Sequence, residues 1–177
     1  YMKKLLFILL FVPLVSFGQN NQKAEALEYQ NITRSYYNLP PLSLSKTLNE
    51  KASIWAETLA IKDSLFFSPD DYGELLYYSD KDTEFYSENL NANWFLDASI
   101  GWIIAGSDSN EFKQVNCINC VLVGFGIAEN EDRIYVVGKY DYIFEENEEE
   151  DELISDDPLR LLRTSMKIEV KQVTLIK

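Results

Sequence analysis

Residues 121–140 read VLVGFGIAENEDRIYVVGKY, and this stretch decides the fold. Val121 to Ala128 and Ile134 to Tyr140 are rich in β-branched and aromatic residues. The four residues between them, Glu129-Asn130-Glu131-Asp132, are polar, so the pair is predicted to be an antiparallel hairpin. Further upstream, Gly73 to Ser79 holds Leu75, Leu76, Tyr77 and Tyr78 in another short strand-like run.

The segments before the hairpin carry helical spacing instead. Residues 24–38 place Leu27, Ile32 and Tyr36 at roughly helical intervals, with Leu39 beyond them and Pro40-Pro41 ending the run. Ser45 is the expected N-cap of a second helix, whose apolar stripe is Leu48, Ala52, Trp55, Ala56, Leu59 and Ala60. Thr83 to Trp102 repeats the pattern with Phe85, Leu90, Trp94, Phe95 and Ile100. Ser68-Pro69-Asp70-Asp71 and Ser107-Asp108-Ser109-Asn110 read as turns. Helices first, then a strand, a helix and a closing hairpin make an α+β chain, not a repeating βαβ one.

The two ends differ from this middle. Lys3 and Lys4 precede an apolar run, Leu5 to Val15, that is too short to span a bilayer. Ser16-Phe17-Gly18 sets small residues at −3 and −1 of a cut before Gln19, so residues 1–18 read as a cleavable secretory signal. The basic start and the Phe17-Gly18-Gln19 junction have the look of a double-membrane bacterium, which makes periplasm or cell exterior the expected location. Tyr1, ahead of Met2, stays outside the fold reasoning. At the other end, Glu145 to Glu152 is almost wholly acidic and self-repelling, inside an expected linker over 143–157. A basic tail follows over 158–177, a short helix and then a strand-like Ile168-to-Ile176 run. The break after Tyr142 implies that residues 145–177 can be removed without unfolding the 19–142 domain.

Charge and composition narrow the chemistry. The chain carries a net charge of −13, which becomes −15 without Lys3 and Lys4. That field repels nucleic-acid backbones and anionic lipid surfaces, so neither is an expected partner. With 46% hydrophobic residues it can still bury a core. There is no histidine, which removes the usual general base, the usual partner of a nucleophilic Ser or Cys, and the usual zinc ligand. Cys117 and Cys120 cannot fill a tetrahedral zinc site by themselves. Their spacing allows a small disulfide loop or two inert thiols.

Six short motifs fall in one order: Pro40-Pro41-Leu42, Phe67-Ser68-Pro69, Gly73-Glu74-Leu75-Leu76, Trp94-Phe95-Leu96-Asp97, Glu111-Phe112-Lys113-Gln114-Val115, and Tyr135-Val136-Val137-Gly138-Lys139-Tyr140. Over about residues 27–142 this set resembles the CAP superfamily of cysteine-rich secretory, antigen 5 and pathogenesis-related 1 proteins. That family reads P-P-L, H-S-P, G-E-N-L, W-Y-x-E, G-H-F-x-Q-V-V-W and Y-V-V-C-x-Y. The resemblance implies an α-β-α sandwich with an antiparallel central sheet and a central cleft. In many members the cleft holds two histidines and two acids that bind a divalent metal. Carried over by position, those four are Phe67, Glu74, Asp97 and Glu111, so both imidazoles are gone and a third carboxylate is added.

Oxygen-only ligands suit calcium or magnesium, not zinc, so weak divalent binding at Glu74, Asp97 and Glu111 is the most this cleft is expected to offer. The same three residues also read as ordinary surface carboxylates. The leading functional expectation is an exported, non-enzymatic domain that binds an envelope or extracellular partner or ligand, with no resident cofactor. Tyr36, Tyr37, Tyr72, Tyr77, Tyr78 and Tyr86 would supply contact area. The alternatives are a carboxylate-based hydrolase using Glu74 and Glu111 as an acid/base pair, and a purely structural domain. Export has a direct check: exported protein should begin at Gln19 by N-terminal sequencing or intact mass, and a mature chain that keeps Met2 would refute the signal.

Overall fold

The structure, a computed structural model, describes residues 2–81, 92–144 and 175–176, the first sixteen and last two of these by backbone alone. The acidic block Glu145–Glu152, and the positions of Phe85, Tyr86 and Leu90, lie outside the described residues. The elements in chain order are α1 (Met2–Tyr36), β1 (Ser43–Leu44), α2 (Lys46–Lys62), β2 (Gly73–Asp80), α3 (Trp94–Ile104), α4 (Asn110–Val115), β3 (Leu122–Glu129), β4 (Arg133–Tyr140) and β5 (Leu175–Ile176).

The expected hairpin is the centre of the sheet. β3 and β4 pair antiparallel from Val123 opposite Tyr140 to Glu129 opposite Ile134. β4 then pairs along its full length with β2, Gly73 opposite Tyr140 and Asp80 opposite Arg133. The order across the sheet is β1-β3-β4-β2-β5. One expectation needs correcting here: the sheet is mixed, because β1 runs parallel to β3 with Ser43 opposite Leu122. The parallel step is possible because β1 and β3 are joined by a long connection through α2, β2, α3 and α4, not by a tight turn. The end of the segment read as a basic tail, Leu175–Ile176, lies antiparallel on Leu75–Leu76 of β2.

Strand alternation sends side chains to two faces, and helices cover both. Leu76, Tyr135 and Val137 pack with Ala52, Ala56, Leu59 and Ala60 of α2. Leu75, Tyr77, Val136 and Tyr140 pack on the other face with Phe95, Ala98 and Trp102 of α3 and Phe112 of α4. Ala26 and Tyr37, from α1 and just beyond its end, join that second cluster. The result is the expected α-β-α sandwich.

α2 matches its sequence reading closely. Ser45 Oγ accepts from the Leu48 N–H as the N-cap, and the buried residues are Leu48, Ala52, Ala56, Leu59 and Ala60, with Trp55 half-buried. The helix sits on β3 at backbone contact. A Cβ on Gly124 would lie 2.3 Å from the Leu48 carbonyl carbon and from Asn49 N, and one on Gly126 would lie 2.1 Å from the Ala52 carbonyl carbon. Asn49 Oδ1 reaches across to accept the Phe125 N–H at 2.8 Å.

α1 departs from its reading. It is continuous from Met2 through the expected cleavage point, and its packed part begins at Lys23. Ile32 and Tyr36 are about half exposed, at 49% and 52%, whereas the buried line is Ala26, Gln30, Thr33 and Arg34. The face turned inward is set by polar side chains with internal partners, which an apolar periodicity cannot register. Gln30 donates to Ser99 Oγ at 3.0 Å and accepts from Tyr140 OH at 3.1 Å. Of the helical run expected over Thr83 to Trp102, residues 83–91 lie outside the described residues; the described helix begins at Trp94, with Asn93 as its N-cap, and runs past Trp102 to Ile104.

Contrasting glycine substitutions should expose the α2–β3 contact. Gly126→Ala is expected to lose about 3 kcal/mol, the upper end of overpacking costs, because helix backbone has nowhere to move. Gly101→Ala in α3 meets only the Tyr77 ring, at 3.5 Å, and should be neutral or slightly stabilising. Urea denaturation of both variants checks the pair.

Candidate functional site

The four positions carried over from the family lie on four separate stretches of the chain: the turn after α2, β2, α3 and α4. Glu74 is on β2 with its side chain on the α2 face, beside Leu76 and opposite Lys139. Phe67 packs half-buried into the same α2-side cluster, so that position carries apolar packing. Asp97 sits in the first turn of α3 and Glu111 in the first turn of α4, both helices on the opposite face of the sheet. Among the described residues, no three His, Cys, Asp or Glu side chains are grouped so as to hold a metal ion.

Glu74 belongs instead to a buried polar knot. Its carboxylate is fully buried, Oε1 accepting the Ser68 N–H at 2.9 Å and Oε2 accepting the Ser68 hydroxyl at 2.6 Å. Lys139 Nζ, itself 1% exposed, donates to Glu74 Oε2 at 2.6 Å, to Asp70 Oδ1 at 2.7 Å and to Ser68 Oγ at 2.7 Å. An ammonium has three N–H donors, so Lys139 is fully engaged. The single Ser68 hydroxyl proton can go either to Glu74 Oε2 or to Asp70 Oδ1, both within reach of it. Burial pushes the Asp70 carboxyl up, but the Lys139 and Ser68 hydrogen bonds outweigh it and leave the group below the usual carboxylate range. Lys51 of α2 closes the outside, 4.0 Å from Asp70 Oδ2 and 5.0 Å from the centre of the Tyr72 ring.

This arrangement places a serine hydroxyl beside a lysine amine, yet it is poor nucleophilic machinery. Ser68 is buried, and the three donors of Lys139 are already engaged by Ser68 and two carboxylates. The knot fastens the 68–70 turn to the two central strands. Sequence reading picked Glu74 and missed Lys139, although the strand alternation that pairs positions 74 and 139 was the available signal.

Asp97 is of a different kind. Its Oδ2 is buried without a hydrogen-bond partner, and burial pushes the carboxyl up to about 6. Glu111 is half-buried. Of the tyrosines expected to form a contact surface, Tyr37 and Tyr77 are core residues, Tyr72 and Tyr78 are half-buried, and Tyr36 is exposed. Cys117 and Cys120 are both buried, with their sulfurs in contact. That contact, with burial, drives the Cys120 thiol far above its ordinary range. The turn that carries them is held by Arg34, which is fully buried. Its guanidinium donates to the carbonyls of Val115 at 2.8 Å, Cys117 at 2.9 Å, Cys120 at 3.1 Å and Pro40 at 2.9 Å.

Comparison with known proteins adds three kinds of finding. The family model described as "CAP: Cysteine-rich secretory protein family" matches residues 27–140. No curated protein matches the chain by sequence. Among solved structures, BmVAL-1 is similar with a TM-score of 0.54 at 18% identity, covering 70% of this chain and 80% of that one. NaASP2, solved with Zn2+, gives 0.51 at 14% identity over 67% of this chain and 77% of its own. The hookworm platelet inhibitor gives 0.51 at 16% identity over 72% of each chain.

Two variants test the site's electrostatics. Lys139→Met strands a buried carboxylate and should cost about 3–5 kcal/mol in urea unfolding, while adding Glu74→Gln should return most of it. Asp97→Asn probes the other face. A carboxyl whose folded pKa is raised carries no penalty below its unfolded pKa near 3.9, and the penalty grows as pH rises through about 6. Asp97→Asn should therefore stabilise the domain at pH 7.5, by about 1 kcal/mol after discounting for solvent screening. The advantage should vanish by about pH 4, and melting curves across this range read it directly.

Proposed function

Because the chain belongs to the CAP family of cysteine-rich secretory proteins, we propose that it is an exported, non-enzymatic domain that binds a partner or ligand at the cell envelope or outside the cell. The observation that carries this reading is the spent carboxylate of Glu74. Both of its oxygens are committed to Ser68 and Lys139 in a fully buried pair. A group so held is neither a ready metal ligand nor an acid/base.

The remaining positions support the same conclusion. Zinc asks for nitrogen or sulfur donors, and Phe67 and Glu111 stand where the family's imidazoles would stand. The residues present do not fit that ion. Asp97 and Glu111 offer oxygen alone and no preformed loop, so calcium or magnesium would bind weakly at best. A glycan hydrolase would need two facing carboxyls, and the sheet lies between Glu74 and the helix that carries Glu111.

Calorimetric titration with zinc and calcium, on the wild type and on Glu74→Gln, tests this reading. Zinc should give no binding heat and calcium at most a millimolar event that Glu74→Gln leaves unchanged. Tight zinc binding lost in Glu74→Gln would overturn it.

A further inference from the structure

The knot around Lys139 is closed to outside substrates, yet its own groups meet in an arrangement that can join an amine to a carboxyl. Lys139 Nζ lies 2.6 Å from Glu74 Oε2, one bond away from the carboxyl carbon. The two side chains are 1% and 0% exposed and stand directly opposite each other on β4 and β2. Holding two reacting groups in contact removes the entropy cost of bringing them together. Two neighbours complete the set. Asp70 Oδ1 accepts from the same ammonium at 2.7 Å, and this second carboxylate has Lys51 on its outer side. The Ser68 N–H holds Glu74 Oε1 at 2.9 Å, while the Ser68 hydroxyl touches both Glu74 Oε2 and Asp70 Oδ1.

We propose that Lys139 and Glu74 condense into an amide, a cross-link between β4 and β2 that the folded chain forms by itself. Asp70 takes a proton from the Lys139 ammonium, holding it only in passing, and the freed nitrogen lone pair attacks Glu74 Cδ. Negative charge then gathers on Oε1, at which the Ser68 N–H already points. The Nζ–Cδ bond forms and the Cδ–Oε2 bond breaks. The two protons that leave the nitrogen travel by way of Asp70 and the Ser68 hydroxyl to Oε2, which departs as water. Asp70 and Ser68 end unchanged, and no oxidant, metal or cofactor is consumed. The product removes one cation and one anion from an interior where both are costly to keep. Hydrolysis back to the pair is slow where water is excluded. Exposure decides which carboxyl reacts: Asp70 is 30% exposed, and an amide made there would leave the 0%-exposed Glu74 as a buried charge without its cation.

Mass spectrometry of the full-length chain tests the link. The folded protein should weigh one water less than its sequence requires, and its digest should contain a branched peptide joining the Glu74 and Lys139 segments. Fragmenting that peptide separates the amide from simple dehydration of an aspartate. Asp70→Asn, a change at the partly exposed rim of the knot, should still melt cooperatively but form the link roughly a hundredfold more slowly, so that most of it is isolated at full mass. A folded wild type at full mass, a water loss mapped to any other pair, or an Asp70→Asn variant linked as completely as the wild type would overturn the proposal.

Discussion

The buried pair between Lys139 and Glu74 is the constraint around which the rest is arranged. Two charges leave water completely, and they are tolerated because every donor and acceptor they present is matched within 3 Å. The match needs β2 and β4 in one register, since a slip would turn Lys139 to the α3 face. It needs the 68–70 turn folded back over the strand ends, with Ser68 supplying both N–H and hydroxyl. It also needs α2 close enough for Lys51 to shield Asp70. One polar cluster thus checks the placement of three elements at once, where an apolar contact would accept approximate positions.

The α2 layer is closed by a second device of opposite character. At Gly124 and Gly126 the sheet gives up side chains altogether, and the helix backbone takes the space. Trp102 is fitted on the far face by the same means, its ring resting where a Gly138 side chain would be while its indole N–H bonds the Leu76 carbonyl at 3.3 Å. Glycines over and under one sheet leave little free volume near its centre.

How much of this was legible in the sequence follows from which forces write periodic patterns. The hairpin, the Ser45 cap and the α2 stripe are short-range and apolar, so residue order displays them. The α1 face was misread because Gln30 and Arg34 point inward toward partners 69 to 110 residues away. No local window contains those partners. The parallel step at β1 hangs on two residues with no pattern of their own. At the candidate site, residue order does not display that Glu74 is paired with Lys139, because positional matching says nothing of which face of the sheet a neighbour occupies. Lys139 was missed for being read as one residue of a Tyr-Val-Val motif.

Arg34 leads to a consequence for how the 115–120 turn keeps its shape. A single guanidinium gathers three carbonyls of the 115–120 turn, so the turn's shape is set by a side chain that no reductant alters. The thiols of Cys117 and Cys120 are brought together as passengers of that turn. Their burial, and the cost of forming a thiolate there, make exchange with soluble disulfides slow. The shape of this turn thus rests on hydrogen bonds that need no oxidation step. A family known for its cysteines has in this member a cation doing the work of a cross-link.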